Sequence, residues 1–228
     1  MSCQIVASLT WQYSVPHLPE EDSKLRATKL ELRRGGNCPN SLQVLEQLLL
    51  RGSGTRDLTT HLVTCLPNAD SPATAKILSS FGPSTKIDFS HCLYREDQTE
   101  PASSYVIRSE KTGSRTIVNY NGLAEMTMDE FVRIVDAFTG EKESWWHFEV
   151  QSLTSHISNP STEARMQGRI PETTLQCMKH LRASLPQCRI SVEVEKPNRD
   201  GLRELAAEAD VVYYSRSWAE VSPQDAPA

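Results

Sequence analysis

The chain has 228 residues, 38% of them hydrophobic and 23% charged, with a net charge of −5. That composition supports a packed core and argues against general disorder, and the length suits one domain with an appendage. No basic run marks a nucleic-acid surface, no apolar stretch is long enough to span a bilayer, and no charged-then-apolar leader opens the chain, so a soluble, cytoplasmic protein is expected.

Along the chain, "RRGGNCPNS" (33–41) places two glycines and two asparagines at the mouth of an apolar helical run. Glycine permits positive φ and asparagine is a favoured N-cap, so a tight turn with a cap is one reading. A polar ligand held by side-chain amides and helix N–H groups is the other. The spacing of Leu42, Leu45, Leu48 and Leu49 predicts a helix over 41–50, broken by "RGSGTRD". "HLVTCLP" (61–67) reads as a strand. Ser71 as N-cap, Pro72 at the first turn and Gly82 as a stop bound a helix over 71–82. Two strands flanking Lys111–Ser114 form a hairpin signal. In "TMDEFVRIVDAF", Thr127 and Glu130 have capping-box spacing, and Phe131, Ile134, Val135 and Phe138 form a core-facing stripe.

The second half alternates. "WWHFE" (145–149) is a strand, 171–185 a helix, and "RISVEVE" (189–195) a strand with Ile190, Val192 and Val194 inward. A helix over 201–210 and a strand over 211–215 follow. That order signals a mainly parallel sheet with crossover helices. Residues 150–167 do not fit, because a strand-to-helix loop in such a sheet is usually about two to six residues. The six cysteines lack metal-ligand spacing and are scattered, which favours free thiols over a disulfide framework. Cys38 sits near a helix start, where a thiol pKa falls, but no histidine is near it in sequence to support a nucleophile. "GGNCPN" is not Gly-x-Gly-x-x-Gly, which disfavours a dinucleotide-binding domain.

"PEEDSKLR" (19–26), "RRGGNCPNSLQVLEQLL", "SRTIVNYN", "WWHFE" and "ISVEVEKP", taken in order, resemble the ribokinase-like (PfkB) carbohydrate kinases, and among them the ketohexokinase (fructokinase) branch. The resemblance covers most of 16–217 apart from 150–167. It implies an α/β fold, with a central mainly parallel sheet flanked by helices and a small β lid over the sugar. It implies ATP-dependent phosphorylation of a ketose such as fructose, with ATP and Mg²⁺ taken up by the complete family enzyme. Gly36, Asn37 and Asn40 would bind sugar, with Asp22 as a further contact. Arg115 and Arg169 would face the transferring phosphate, where a guanidinium stabilises developing charge. Glu149 matches the acid after the central strand, and Glu195 a position that holds Mg²⁺ through water. Read without the resemblance, Asp22 is a loop acid, Arg115 a solvated hairpin charge and Glu195 a strand-end acid. The family's lid often pairs subunits, which by analogy allows a homodimer.

Three departures follow from the same comparison. Thr10 stands where the family's first strand carries a sugar-binding Asp. Residues 150–167 form an insertion. Its end residues are Val150, whose codons begin GT, and Gln167, which CAG encodes; a retained intron is expected, with a tolerated surface insertion as the alternative. The family's Gly-Ala-Gly-Asp motif, with the catalytic base, is absent from the sequence as written, as is the adenine-binding part. The expectation is an incomplete kinase domain over 14–217 with atypical ends at 1–13 and 218–228. It keeps the sugar side and is inactive as it stands; the alternative is a non-catalytic sugar-binding or interaction protein.

Overall fold

The computed structural model describes residues 2–4, 7–51, 58–140, 143–150, 171–194 and 201–220. In chain order these form β1 (Ser2–Gln4), β2 (Ser8–Val15), β3 (Lys29–Gly35), α1 (Asn37–Arg51), β4 (Thr60–Val63), β5 (Cys65–Pro67), α2 (Pro72–Ser79), β6 (Ile87–Asp88) and β7 (Leu93–Arg95). There follow β8 (Ala102–Ser109), β9 (Arg115–Tyr120), α3 (Met128–Asp136), β10 (Trp145–Val150), α4 (Pro171–Ser184), β11 (Arg189–Val194), α5 (Leu202–Glu208), β12 (Val211–Tyr214) and α6 (Arg216–Glu220).

The strands divide into three sheets. The main sheet has six strands in the order β12-β11-β10-β1-β4-β6, every neighbouring pair parallel. A four-stranded sheet, β3-β2-β8-β9, is mixed: β2 and β8 run parallel, and the two outer pairings are antiparallel. β5 and β7 form a separate parallel pair. The α/β class expected from the strand–helix alternation is present, but the sheet is split. The apolar run at 61–67 is two strands, interrupted at Thr64. Thr64 is buried; its hydroxyl accepts the N–H of Ala7 at 3.1 Å, and its carbonyl accepts Leu93 N–H at 2.8 Å. Strand β1 and most of β2 fall within 1–13, the end expected to be atypical, and Thr10, expected on the family's first strand, lies on β2.

Alternation along the strands sorts the core onto two faces. On one, Val63, Trp146, Phe148, Ile190, Val192 and Val194 pack against Phe131, Ile134 and Val135 of α3, Met178 and Leu181 of α4, and Leu205 of α5. On the other, Leu62 and Ile87 meet Leu42 of α1 and Ile77 of α2. Helix ends follow local chemistry. Ser71 caps α2 by accepting Ala73 N–H at 3.2 Å, with Pro72 at the first turn, where its missing donor costs nothing. Thr127 and Glu130 form the expected reciprocal box on α3. Among the described residues, no helix is long and apolar enough to cross a membrane.

Candidate functional site

The main sheet ends, at its carboxyl edge, in two acids. Glu149 closes on α1: one carboxylate oxygen accepts the N–H groups of Asn37 at 3.1 Å and Cys38 at 3.2 Å. These are donors of the helix's first turn, which have no intrahelical partner, and a carboxylate there also complements the helix dipole. Glu193, register partner of Glu149 on β11, accepts the Asn37 side-chain amide at 3.2 and 3.3 Å. α1 thus starts at Asn37, before the expected Ser41, because its cap comes from a distant strand. Pro39 is tolerated in the first turn. Gly36, at φ 101°, makes the bend that joins β3 to the helix.

Asn40 is held from the other side. Arg34 donates to its Oδ1 at 3.2 Å, to Gln43 at 2.8 Å and to the Ser80 hydroxyl at 3.2 Å, while its guanidinium lies 3.8 Å over the Phe81 ring. Burial lowers the Arg34 pKa from its ordinary value. The neighbouring Gly35 is needed for packing: a Cβ there would lie 2.7 Å from Thr10 Oγ1 and closer still to the Ser8 hydroxyl.

These partners fix both amides. A carboxylate only accepts, so Asn37 turns its Nδ2 to Glu193; a guanidinium only donates, so Asn40 turns its Oδ1 to Arg34. Asn37 Oδ1 and Asn40 Nδ2 have no partner among the described residues. Both residues are exposed, and their spacing of three puts them on one side of the helix. One acceptor and one donor therefore stand ready beside two carboxylates. That set suits neutral hydroxyl groups, which both donate and accept, and repels an anion.

A cavity of about 970 Å³ adjoins this edge, lined among others by Leu45, Trp145, His147, Ser191, Glu193 and Tyr213. The outward residues of β10 and β11 are polar and linked: Ser191 Oγ lies 2.8 Å from Trp145 Nε1 and 2.9 Å from His147 Nδ1. Burial lowers the His147 pKa.

The structure brings Gly36, Asn37, Asn40 and Glu149 together and adds Glu193. The outward position of Glu193 follows from the alternation of Val192 and Val194. Arg115 is exposed and stands opposite Arg108 at the turn end of the β8–β9 hairpin, level with Ser14. Gly35 is level with Ser8, roughly 20 Å back along β2 at strand spacing. Asp22 occupies an exposed turn in the β2–β3 connection, at φ 58°, and has no hydrogen bond or ion pair to either asparagine. Arg169 and Glu195 lie outside the described residues, as does the segment at 150–167 apart from Val150, which ends β10 opposite Val194.

The free-thiol expectation needs correction. Cys65, Cys92, Cys177 and Cys188 are free and buried, but Cys38 is disulfide-bonded. Pairing depends on which chains the fold brings together, and sequence spacing does not carry that. Burial pushes the Cys65 thiol up to about 11 and those of Cys92 and Cys177 to about 12, so these are inert packing groups.

No family model matches the chain. Mouse (Mus musculus) ketohexokinase is similar, 29% identical over 208 residues, covering 90% of this chain and 60% of that protein. Ribokinase of Thermotoga maritima superposes with a TM-score of 0.66 at 13% identity, over 98% of this chain and 62% of that one. Ribokinase of Arabidopsis thaliana, solved with ribose and ATP, superposes with a TM-score of 0.63 at 12% identity, over 93% of this chain and 59% of that one. The chain therefore spans about 60% of the length of that mouse protein.

Proposed function

Because this chain resembles the ribokinase-like (PfkB) carbohydrate kinases in both sequence and fold, we propose that it carries the sugar-binding side of an ATP-dependent sugar kinase, with a ketose such as fructose as acceptor. The observation that supports this best is the pair of available amide atoms, Asn37 Oδ1 and Asn40 Nδ2, beside Glu149 and Glu193 at the carboxyl edge of a parallel sheet. Ligands of open α/β sheets bind at that edge. A neutral polyol meets each of these groups with a hydroxyl, and Gly36 leaves the backbone clear for its approach.

In the proposal Asp22 adds a sugar contact, and Arg115 and Arg169 face the transferring phosphate of ATP. Such transfer depends on positioning and charge stabilisation, with a base for the incoming hydroxyl. The part assigned to this chain is to orient the acceptor. Mg²⁺ belongs to the resemblance, through Glu195. Among the described residues no three carboxylates converge into the oxygen-rich set that Mg²⁺ takes.

Calorimetric titration of the chain with fructose tests the reading. Asn37→Ala and Asn40→Ala should each weaken binding by about 1–3 kcal/mol, the cost of losing a hydrogen-bond partner. Unaltered affinity in both variants, with circular dichroism intact, would leave the asparagines as mere helix-start residues. Fructose-dependent ADP release separates a kinase from a sugar-binding protein without turnover.

A further inference from the structure

A second cluster lies on the opposite face of the main sheet from α1. His61 is on β4, two residues from Val63, and shares its face with the core built by α3 and α4. Asp88, its register partner on β6, projects to the same side. His91 follows in the next turn. We propose that His61, Asp88 and His91 form a binding site for a divalent transition metal of the zinc class.

One donor atom from each of the three residues lies within 4.8 Å of the other two. Zinc bonds to nitrogen and oxygen are about 2.0–2.2 Å, so tetrahedral ligands sit roughly 3.3 Å apart. His61 Nδ1 and Asp88 Oδ2 are already 3.3 Å apart. The other oxygen of Asp88 accepts the Ser90 N–H at 2.8 Å, which fixes the carboxylate with Oδ2 toward His61 and folds the turn that carries His91. Second-partner bonds of this kind orient ligands at known metal sites.

The rings are supported as well. Phe138 contacts His61 edge-on at 5.1 Å between centroids and His91 at 4.7 Å, giving the site an apolar wall. His61 is buried, whereas the Asp88 side chain is 39% exposed. The pocket therefore opens to solvent on one side, where water completes a four-coordinate shell. Two imidazoles and one carboxylate suit zinc, cobalt or nickel, and suit magnesium or calcium poorly, since those cations take oxygen. A bound ion would join β4 to the two-residue edge strand β6 and the turn after it.

The competing account is a His–Asp contact with a second ring stacked nearby and no metal affinity. Calorimetric titration of the full chain with zinc chloride separates the two. The expected result is one equivalent bound by the unaltered chain, at least tenfold weaker binding by His91→Ala and by Asp88→Asn, and a zinc-dependent rise in thermal midpoint only in the unaltered chain. Cobalt(II) provides a readout that needs no variant: nitrogen and oxygen ligands give weak visible bands without the intense near-ultraviolet band of a thiolate. Absence of zinc binding, an affinity in either variant equal to that of the unaltered chain, or a cobalt–thiolate band would overturn the proposal.

Discussion

Arg95 clamps the loop before α3. It donates from Nε to the Ala124 carbonyl at 2.8 Å, from Nη2 to the Glu125 carbonyl at 2.8 Å, and to both oxygens of Glu130 at 2.6 and 3.0 Å. Both side chains of the ion pair are largely buried, 15% and 16% exposed. Arg95→Met keeps the chain length and leaves two carbonyls and a shielded carboxylate without their donor. Breaking a buried pair from one side costs about 3–5 kcal/mol. The Glu130 carboxyl gives an independent measure. Hydrogen bonding to Arg95 first, opposed by burial and helped by Thr127 N–H, lowers its pKa from 4.5 to about 2. At 1.36 kcal/mol per unit, and with some loss to screening, that is about 2–3 kcal/mol. The folded pKa is the depressed one, so this stability is complete above pH 4.5 and is lost as pH falls toward 2. Urea denaturation followed by circular dichroism should show Arg95→Met less stable by about 3 kcal/mol at pH 7, with the deficit shrinking as the solution is acidified. A deficit below about 1 kcal/mol at pH 7, the range of an exposed pair, would refute the reasoning. So would a deficit that acid leaves unchanged.

Two further outcomes are expected. Thr127→Ala removes the hydroxyl that accepts Glu130 N–H and should cost about 1 kcal/mol in the same denaturation assay, an effect that Thr127→Ser should largely spare. Gly35→Val drives a side chain into Ser8 and Thr10 and should lower stability by about 1–3 kcal/mol, with Ser8→Ala restoring part of the loss.

What the sequence disclosed was local. Thr127 and Glu130 are three residues apart and satisfy each other, Ser71 precedes Pro72, and the hairpin turn carries Gly113 at φ 73°. Ile190, Val192 and Val194 alternate because one face of β11 is packed and the other borders the cavity. The family resemblance singled out Gly36, Asn37 and Asn40, which lie beside Glu149 and Glu193 at the carboxyl edge of the main sheet. What it missed was non-local. The true start of α1 is set by Glu149, far along the chain, so a window ending at Ser41 could not contain it. Periodicity did not mark β2 or β3, because both are only partly buried and carry polar residues on each side; only the resemblance put a strand at Thr10. Glu193 was legible from strand alternation, but its partner Asn37 was not. The break at Thr64 has no breaker residue; it arises because the hydroxyl is recruited by Ala7.

That recruitment has a mechanical meaning. Ala7 leads into β2, an inner strand of the four-stranded sheet, and Thr64 lies where the main sheet gives way to the small β5–β7 pair. Both residues are buried, and their 3.1 Å bond works as a rivet at the root of that sheet. The second root, Gly35, is wedged against Ser8 and Thr10 of that same strand. Swinging the four-stranded sheet about Ala7 would strip a buried N–H of its acceptor, at a cost of about 1–3 kcal/mol. Both contacts lie at the base of the four-stranded sheet, and the Ala7–Thr64 bond holds that base to the main body. A displacement of the sheet's outer end, where Arg115 stands, that is spread as twist along β2, β8 and β9 leaves the Ala7–Thr64 bond intact, whereas a pivot at the base breaks it.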